Sequence, residues 1–338
     1  MPIRNRHIRA PRAVLGFTLV ELMISLVLGM IVTAAALAMF LANKQVYTTS
    51  EHLGRVQENV RTAYEVMSRE MRESAGNACE ANLTTVNVLR SSSNWWTNFD
   101  NRIRGFDGAT AFPGDSFGTA TPARIAGTDA VELKSGLSDS VGVVSHATGV
   151  LTVNTVNHGF RTGDIALVCD FKQATVFQVT AASNGTTNTL AAAYAGTFVP
   201  GNCSTGMGFP TLCTSTGTVY LYPALSQVSH VRMSRWYIGN NPRGGRSLYQ
   251  STIVNVNGAP TPQFQEIADG VQDMELSYLL AGGNDYVPAA SVTAAQWAQG
   301  NVIAVRIVLV VDVDQDGTTH ENITRRLEHT VTLRNRLT

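Results

Sequence analysis

The stretch that decides the architecture is GFTLVELMISLVLGMIVTAAALAMFLANK, residues 16–44. Glu21 is its only charge before Lys44, and residues 22–42, 21 in all, carry none. As a helix rising ~1.5 Å per residue, such a run crosses one bilayer. Arg4, Arg6, Arg9 and Arg12 precede it with no acid among them. Basic residues stay on the cytoplasmic side, so the N-terminus is expected inside and the remainder outside. Two ordinary readings of this start compete. A secretory signal would have a shorter apolar stretch and a small-residue cleavage site, for which Ala34-Ala35-Ala36 would serve. A plain signal anchor accounts for the length and leaves Glu21 without a role. A carboxylate at this depth needs a partner or must snorkel to the headgroups, and both remain open.

Beyond residue 42 the pattern becomes amphipathic. Leu53, Val56, Val60, Tyr64, Met67 and Met71 recur at spacings of three and four, an apolar stripe. Glu58, Arg61, Glu65, Arg69 and Glu73 run along another side with alternating sign, the signature of a solvated helix face. No proline occurs between Pro11 and Pro113. One helix from Phe17 to residue 75 is therefore expected, roughly 90 Å long, stopped at Ser74-Ala75-Gly76-Asn77. Gly54 keeps open an anchor followed by a separate helical segment. The first half needs lipid or other helices around it; the second should lie against a sheet.

After Asn77 the period changes to that of strands. Residues 85–89, 129–134, 165–170, 175–180, 218–222, 228–238, 274–280, 302–313 and 324–333 read as strands. Asn184-Gly185, Asn257-Gly258 and Gly282-Gly283 are turn signals, and 293–299 reads as one short helix. Residues 302–313 suggest a central strand buried on both faces. Stretches 91–128 and 184–216 look like loop-rich insertions. Trp95-Trp96, in the first, reads as an anchor of that loop to its own core more readily than as a partner contact. The expected class is α+β: a long N-terminal helix packed on a large, mainly antiparallel sheet domain.

Composition supports this and excludes other classes. The 338 residues include 25 basic and 25 acidic ones, with 44% hydrophobic and 15% charged. That is too apolar for a disordered chain and too neutral for a nucleic-acid binder. Without the first 16 residues, 21 basic residues face 25 acidic ones, a net charge of about −4. No phosphate-loop spacing, zinc-ligand spacing or nucleophile elbow occurs, so nothing proposes catalysis or a resident cofactor. Asp312, Asp314 and Asp316, followed by Gly317, have the spacing of the first half of a calcium loop. The twelfth position is Ile323 where a bidentate Glu is needed, so an acidic turn after a strand is the simpler reading.

Gly16-Phe17-Thr18-Leu19-Val20-Glu21, behind a basic leader and before an uninterrupted apolar run, resembles the processing site of type IV prepilins and pseudopilins. Residues 267–275, 170–180 and 326–335 are similar, more loosely, to PilW-type minor pilins and to J-type pseudopilins of type II secretion. The resemblance implies that a prepilin peptidase cuts between Gly16 and Phe17 and that Phe17 is N-methylated. It implies a leader at 1–16, a transmembrane or filament-core helix at 17–42, an amphipathic half at 43–76 and a periplasmic β-rich domain at 77–338. It places the protein in the inner membrane, then at the fibre tip. There it would prime pilus assembly with other minor pilins and the major pilin, and present an adhesin. Glu21 would pair with a neighbouring subunit's Phe17 amine. A J-type pseudopilin and a membrane-tethered periplasmic ligand-binding protein remain as other readings. The outside compartment permits disulfides. Cys203 and Cys213 bracket one loop that is cheap to close, which leaves Cys79 for Cys169.

Overall fold

The computed structural model describes residues 16–74, 76, 78–79, 83–90, 94–194, 198–312 and 324–333. The chain is an α+β protein with helix α1 (Leu19–Glu73) at its start and a short α2 (Ala294–Gln299) near its end. It divides into two compact units, Met1–Leu53 and Gly54–Thr338, and the division falls inside α1 at Gly54.

In the first unit, Leu19–Thr48 is long and apolar enough to cross a membrane by length and composition. Leu22, Leu28, Met30, Leu37 and Phe40 are all exposed, as expected of a segment whose solvent is meant to be lipid or other helices.

The second unit is built on strands. Among the described residues, ten form one sheet: β1 (Thr84–Asn87), β2 (Ile103–Phe106), β3 (Ala130–Ala147), β4 (Val150–Val153), β5 (Ile165–Cys169), β6 (Gln173–Gln178), β7 (Thr189–Ala191), β8 (Gln227–Asn240), β9 (Arg246–Val256) and β10 (Ala259–Asp269). Four more, β11 (Val271–Leu280), β12 (Tyr286–Pro288), β13 (Val302–Asp312) and β14 (Thr324–Thr332), form a second sheet in the order β12-β11-β13-β14. The β1–β6 pair is parallel, and the other pairings are antiparallel.

Local chemistry explains the connections. Val256 faces Ala259 across a two-residue turn in which Asn257 (φ 52°) and Gly258 (φ 88°) are both left-handed, the turn that Asn-Gly favours between twisted strands. Thr293 caps α2 in a capping box with Gln296, and Gly300 ends it in the left-handed region. Gly105 on β2 lies beneath Tyr278, where any Cβ would overlap the phenol.

One core cluster joins helix and sheets. Val60, Ala63, Met67 and Met71 of α1 are completely buried among Ile103, Val131, Leu133, Trp236 and Ile238 of the large sheet and Met274, Tyr278, Ile307 and Leu309 of the small one. Tyr64, half-buried, donates its hydroxyl hydrogen to the Leu327 carbonyl and accepts from the Leu309 amide at 3.2 Å, bridging β14 and β13. Burial pushes its phenol up to about 12, so it stays a donor. Glu58, Arg61, Glu65, Arg69 and Glu73 are exposed, with Arg61 and Glu65 paired at 3.4 Å. Leu53 and Val56 lie outside the described side chains.

Four readings of the sequence need correction. Residues 218–222 form no strand; that segment folds back on the loop tied by Cys203 and Cys213, with Gly208 donating to the Thr218 carbonyl at 2.8 Å. The stretch 91–128 carries β2, and 184–216 carries β7, so both insertions contribute strands to the large sheet. Strands β9 and β10 are absent from the sequence reading: β9 buries Leu248 and Tyr249, whereas β10 is largely exposed and is held by its pairing with β9. Strand β13 is central but buried on one face only: Val305, Ile307, Leu309 and Val311 are in the core, while Ile303, Arg306, Val308 and Val310 are half-exposed.

Candidate functional site

The N-terminal junction is assembled from very few residues. Gly16 and Phe17 precede α1 without regular structure; nothing lies within 4 Å of a Cβ placed on Gly16, and Phe17 is 85% exposed. The bond between them is therefore sterically open. Thr18 and Glu21 then close the helix start reciprocally. The Thr18 hydroxyl oxygen accepts from the Glu21 amide at 3.3 Å, while a Glu21 carboxylate oxygen accepts from the Thr18 amide and hydroxyl, each at 3.1 Å. This is a capping box. It satisfies amides that a helix in lipid could not leave bare, and its acid also suits the positive end of the helix dipole. The carboxylate thus folds back toward Phe17. Thr18 has a legible signal, Thr-x-x-Glu before an apolar run, that reading Glu21 only as a buried charge passes over.

A second arrangement fixes the far half of α1. Glu70 is almost fully buried and accepts from Ser234 Oγ and Trp236 Nε1, both at 2.9 Å, and from Gln250 Nε2 at 2.8 Å, with Arg232 3.7 Å away. One carboxylate on the helix therefore gathers three donors from β8 and β9. Such a group costs desolvation and repays it only when fully bonded, so it specifies register as well as binding. Its signal was present: Glu70 lies three residues after Met67 and one before Met71, on the edge of the apolar stripe.

The cysteines pair Cys79 with Cys169 and Cys203 with Cys213. The first bond ties the chain just beyond α1 to β5; the second closes a loop above the large sheet. Trp96 is buried, and half-buried Trp95 packs beside it, so the pair anchors its loop to the domain. Asp312 ends β13, while Asp314 and Asp316 lie outside the described residues. No group of metal-ligating side chains occurs among the described residues.

An apolar helix opened by a capped Gly-Phe junction, continued by an amphipathic half docked on antiparallel sheets, defines a type IV pilin-like protein. The model of the prokaryotic N-terminal methylation motif matches residues 11–37. That of type IV pilus-assembly protein W matches residues 235–335, from the second half of β8 through β14. The chain is thus similar to type IV pilin-related proteins at its N-terminus and to the PilW family over its last third. No curated protein matches it.

Proposed function

We propose that the protein is a minor pilin that primes type IV pilus assembly and occupies the fibre tip, where its domain can carry an adhesin. Pilin-family domains are structural, and a type IV pilin-related role follows from the two family matches; the tip position and the adhesin are the further step. The apolar helix is consistent with a single-pass inner-membrane anchor. In this reading prepilin peptidase hydrolyses the Gly16–Phe17 bond, removes the leader at 1–16 and frees an amine at Phe17 that methylation leaves cationic. Residues 17–42 then form the filament-core part of the helix, 43–76 its amphipathic part, and 77–338 the periplasmic domain.

The observation that carries the reading is the placement of Glu21, the only charge between Phe17 and Asn43, folded back over the helix start. In apolar surroundings a carboxylate attracts a neighbouring subunit's Phe17 amine strongly, and an axial mismatch leaves two unpaired charges. Glu21 therefore recruits and aligns. Glu21→Gln keeps the capping box, since Gln serves at that position too, and removes the charge alone; Glu21→Lys makes the contact repulsive. Both variants should be cleaved normally, yet enter the complex with other minor pilins and the major pilin poorly, lysine worse. Normal piliation of a deletion strain by Glu21→Lys would refute the pairing.

A further inference from the structure

The large sheet carries a cleft of about 730 Å³ that no part of the assembly role uses. Its floor is one row of side chains across three strands, Arg235, Ser251 and Phe264, which are cross-strand partners. The loop at 111–124 and the turn bearing Trp95 wall it. Between these walls runs an alternating stack. The Arg235 guanidinium lies between Trp95 and Phe112, at 4.3 and 4.2 Å from the ring centroids, and Arg124 lies between Phe112 and Phe117, at 4.8 and 5.2 Å. The cleft volume and its mix of aromatic and few polar groups match those of small-molecule sites, roughly 300–1,000 Å³.

The charges in the cleft narrow the ligand class. Arg124 gives hydrogens to the carbonyls of Thr110, Asp107 and Thr128 and its remaining Nε is buried, while Arg235 is offset by Glu132 at 3.1 Å and Asp115 at 2.6 Å, so the cleft presents little exposed positive charge to an anion. Asp115 is neutralised by Arg235, so it offers no free charge to a cation. It is nonetheless 60% exposed and bonded through one oxygen, which leaves the other to accept hydroxyl hydrogens. Behind it the second terminal nitrogen of Arg235 is buried with no acceptor among the described residues, a donor the fold leaves unspent. Phe264, 56% exposed, presents an open ring beside this carboxylate. An extended peptide would want backbone donors, and the adjoining edge strand β10 carries Pro260 and Pro262, which have none.

We propose that this cleft binds a neutral pyranose ring of an oligosaccharide, its C–H face on Phe264 and Trp95 and its hydroxyls on Asp115 and Ser251. The proposal does not rest on the assembly role, and Glu21 variants leave it untouched. The test uses the full chain in amine-oxide micelles, which carry no sugar headgroup. Cellotetraose, chitotetraose, maltotetraose and mannotetraose are the probes, read by saturation-transfer NMR and tryptophan fluorescence. At least one should give saturable transfer to ring C–H protons and a fluorescence change, with Kd near ~1 mM. Phe264→Ser and Asp115→Asn should each weaken it about tenfold at unchanged circular dichroism. Phe264, an exposed side chain, keeps the test independent of folding. Absence of saturable binding by every probe, or equal binding by both variants, overturns the proposal. So does a proline-rich peptide whose binding is abolished by Phe264→Ser while the sugars do not bind.

Discussion

Residues 19–48 and 54–73 belong to the same helix and obey opposite rules. In the first stretch apolar side chains point all round, and Leu28, Met30 and Phe40 are between 56% and 66% exposed. In the second, Val60, Ala63, Met67 and Met71 are fully buried, while Arg61 and Glu65 face water. The difference shows that hydrophobicity alone does not define a core. A stripe with period 3.6 finds its partner within the chain; a helix apolar on every side has to find it elsewhere. Charge follows the same division. Glu70 is buried and bonded three times by β8 and β9, whereas Glu21, among the described residues, bonds the first turn of its own helix.

Substitutions at three positions in the full chain, compared by thermal melting of the domain in micelles, probe this contrast. The largest effect is expected from Met67→Asp, which puts a carboxylate where no solvent reaches. It should cost roughly 4 kcal/mol or more, and an unchanged midpoint would show that this half of α1 does not dock. Next comes Glu70→Ala, which strands the donors of Ser234, Trp236 and Gln250. A loss of about 3 kcal/mol is expected, with Glu70→Gln smaller because one carbonyl acceptor remains; equal stability of all three proteins would mean that the carboxylate carries no load. The smallest belongs to Met30→Ser, in the apolar half, which should move the midpoint by less than about 0.5 kcal/mol. A larger shift would mean that the two stretches share a core.

The fold class was legible because its signals are local. The change from an all-round apolar run to a stripe, and then to alternation, is visible without partners. So was the Asn257-Gly258 hairpin turn, although the two strands it joins were not: β10 is largely exposed and contains two prolines, and only pairing with β9 makes it a strand. The segment 218–222 failed for the reverse reason. Thr218, Val219 and Tyr220 suit a strand, but no strand offers them a ladder, and Thr218 bonds Pro210 instead. At the candidate site, Gly16, Phe17 and Glu21 stand out in sequence, and the Thr18 cap could have been read with them. The stack of Arg235 and Arg124 on aromatic rings could not. Its members come from residues 95, 112, 117, 124 and 235, and no spacing links them. For the cysteines, loop closure pointed to the partners that the structure joins.

The bonds of Tyr64 and Glu70 also impose an order in time. Glu70 waits for residues 164 to 180 positions later in the chain, and Tyr64 donates to a carbonyl 263 positions later. At ~5–20 residues per second of synthesis, the helix emerges on the order of tens of seconds before the last of its partners exists. Throughout that interval the stripe of α1 lacks the last side chains of its core, Leu327, Val331 and Leu333. The core around α1 is complete only when β14 has been delivered. A chain truncated before residue 324 would therefore leave Tyr64 without its Leu327 acceptor, a loss that should show as a lower melting midpoint of the domain.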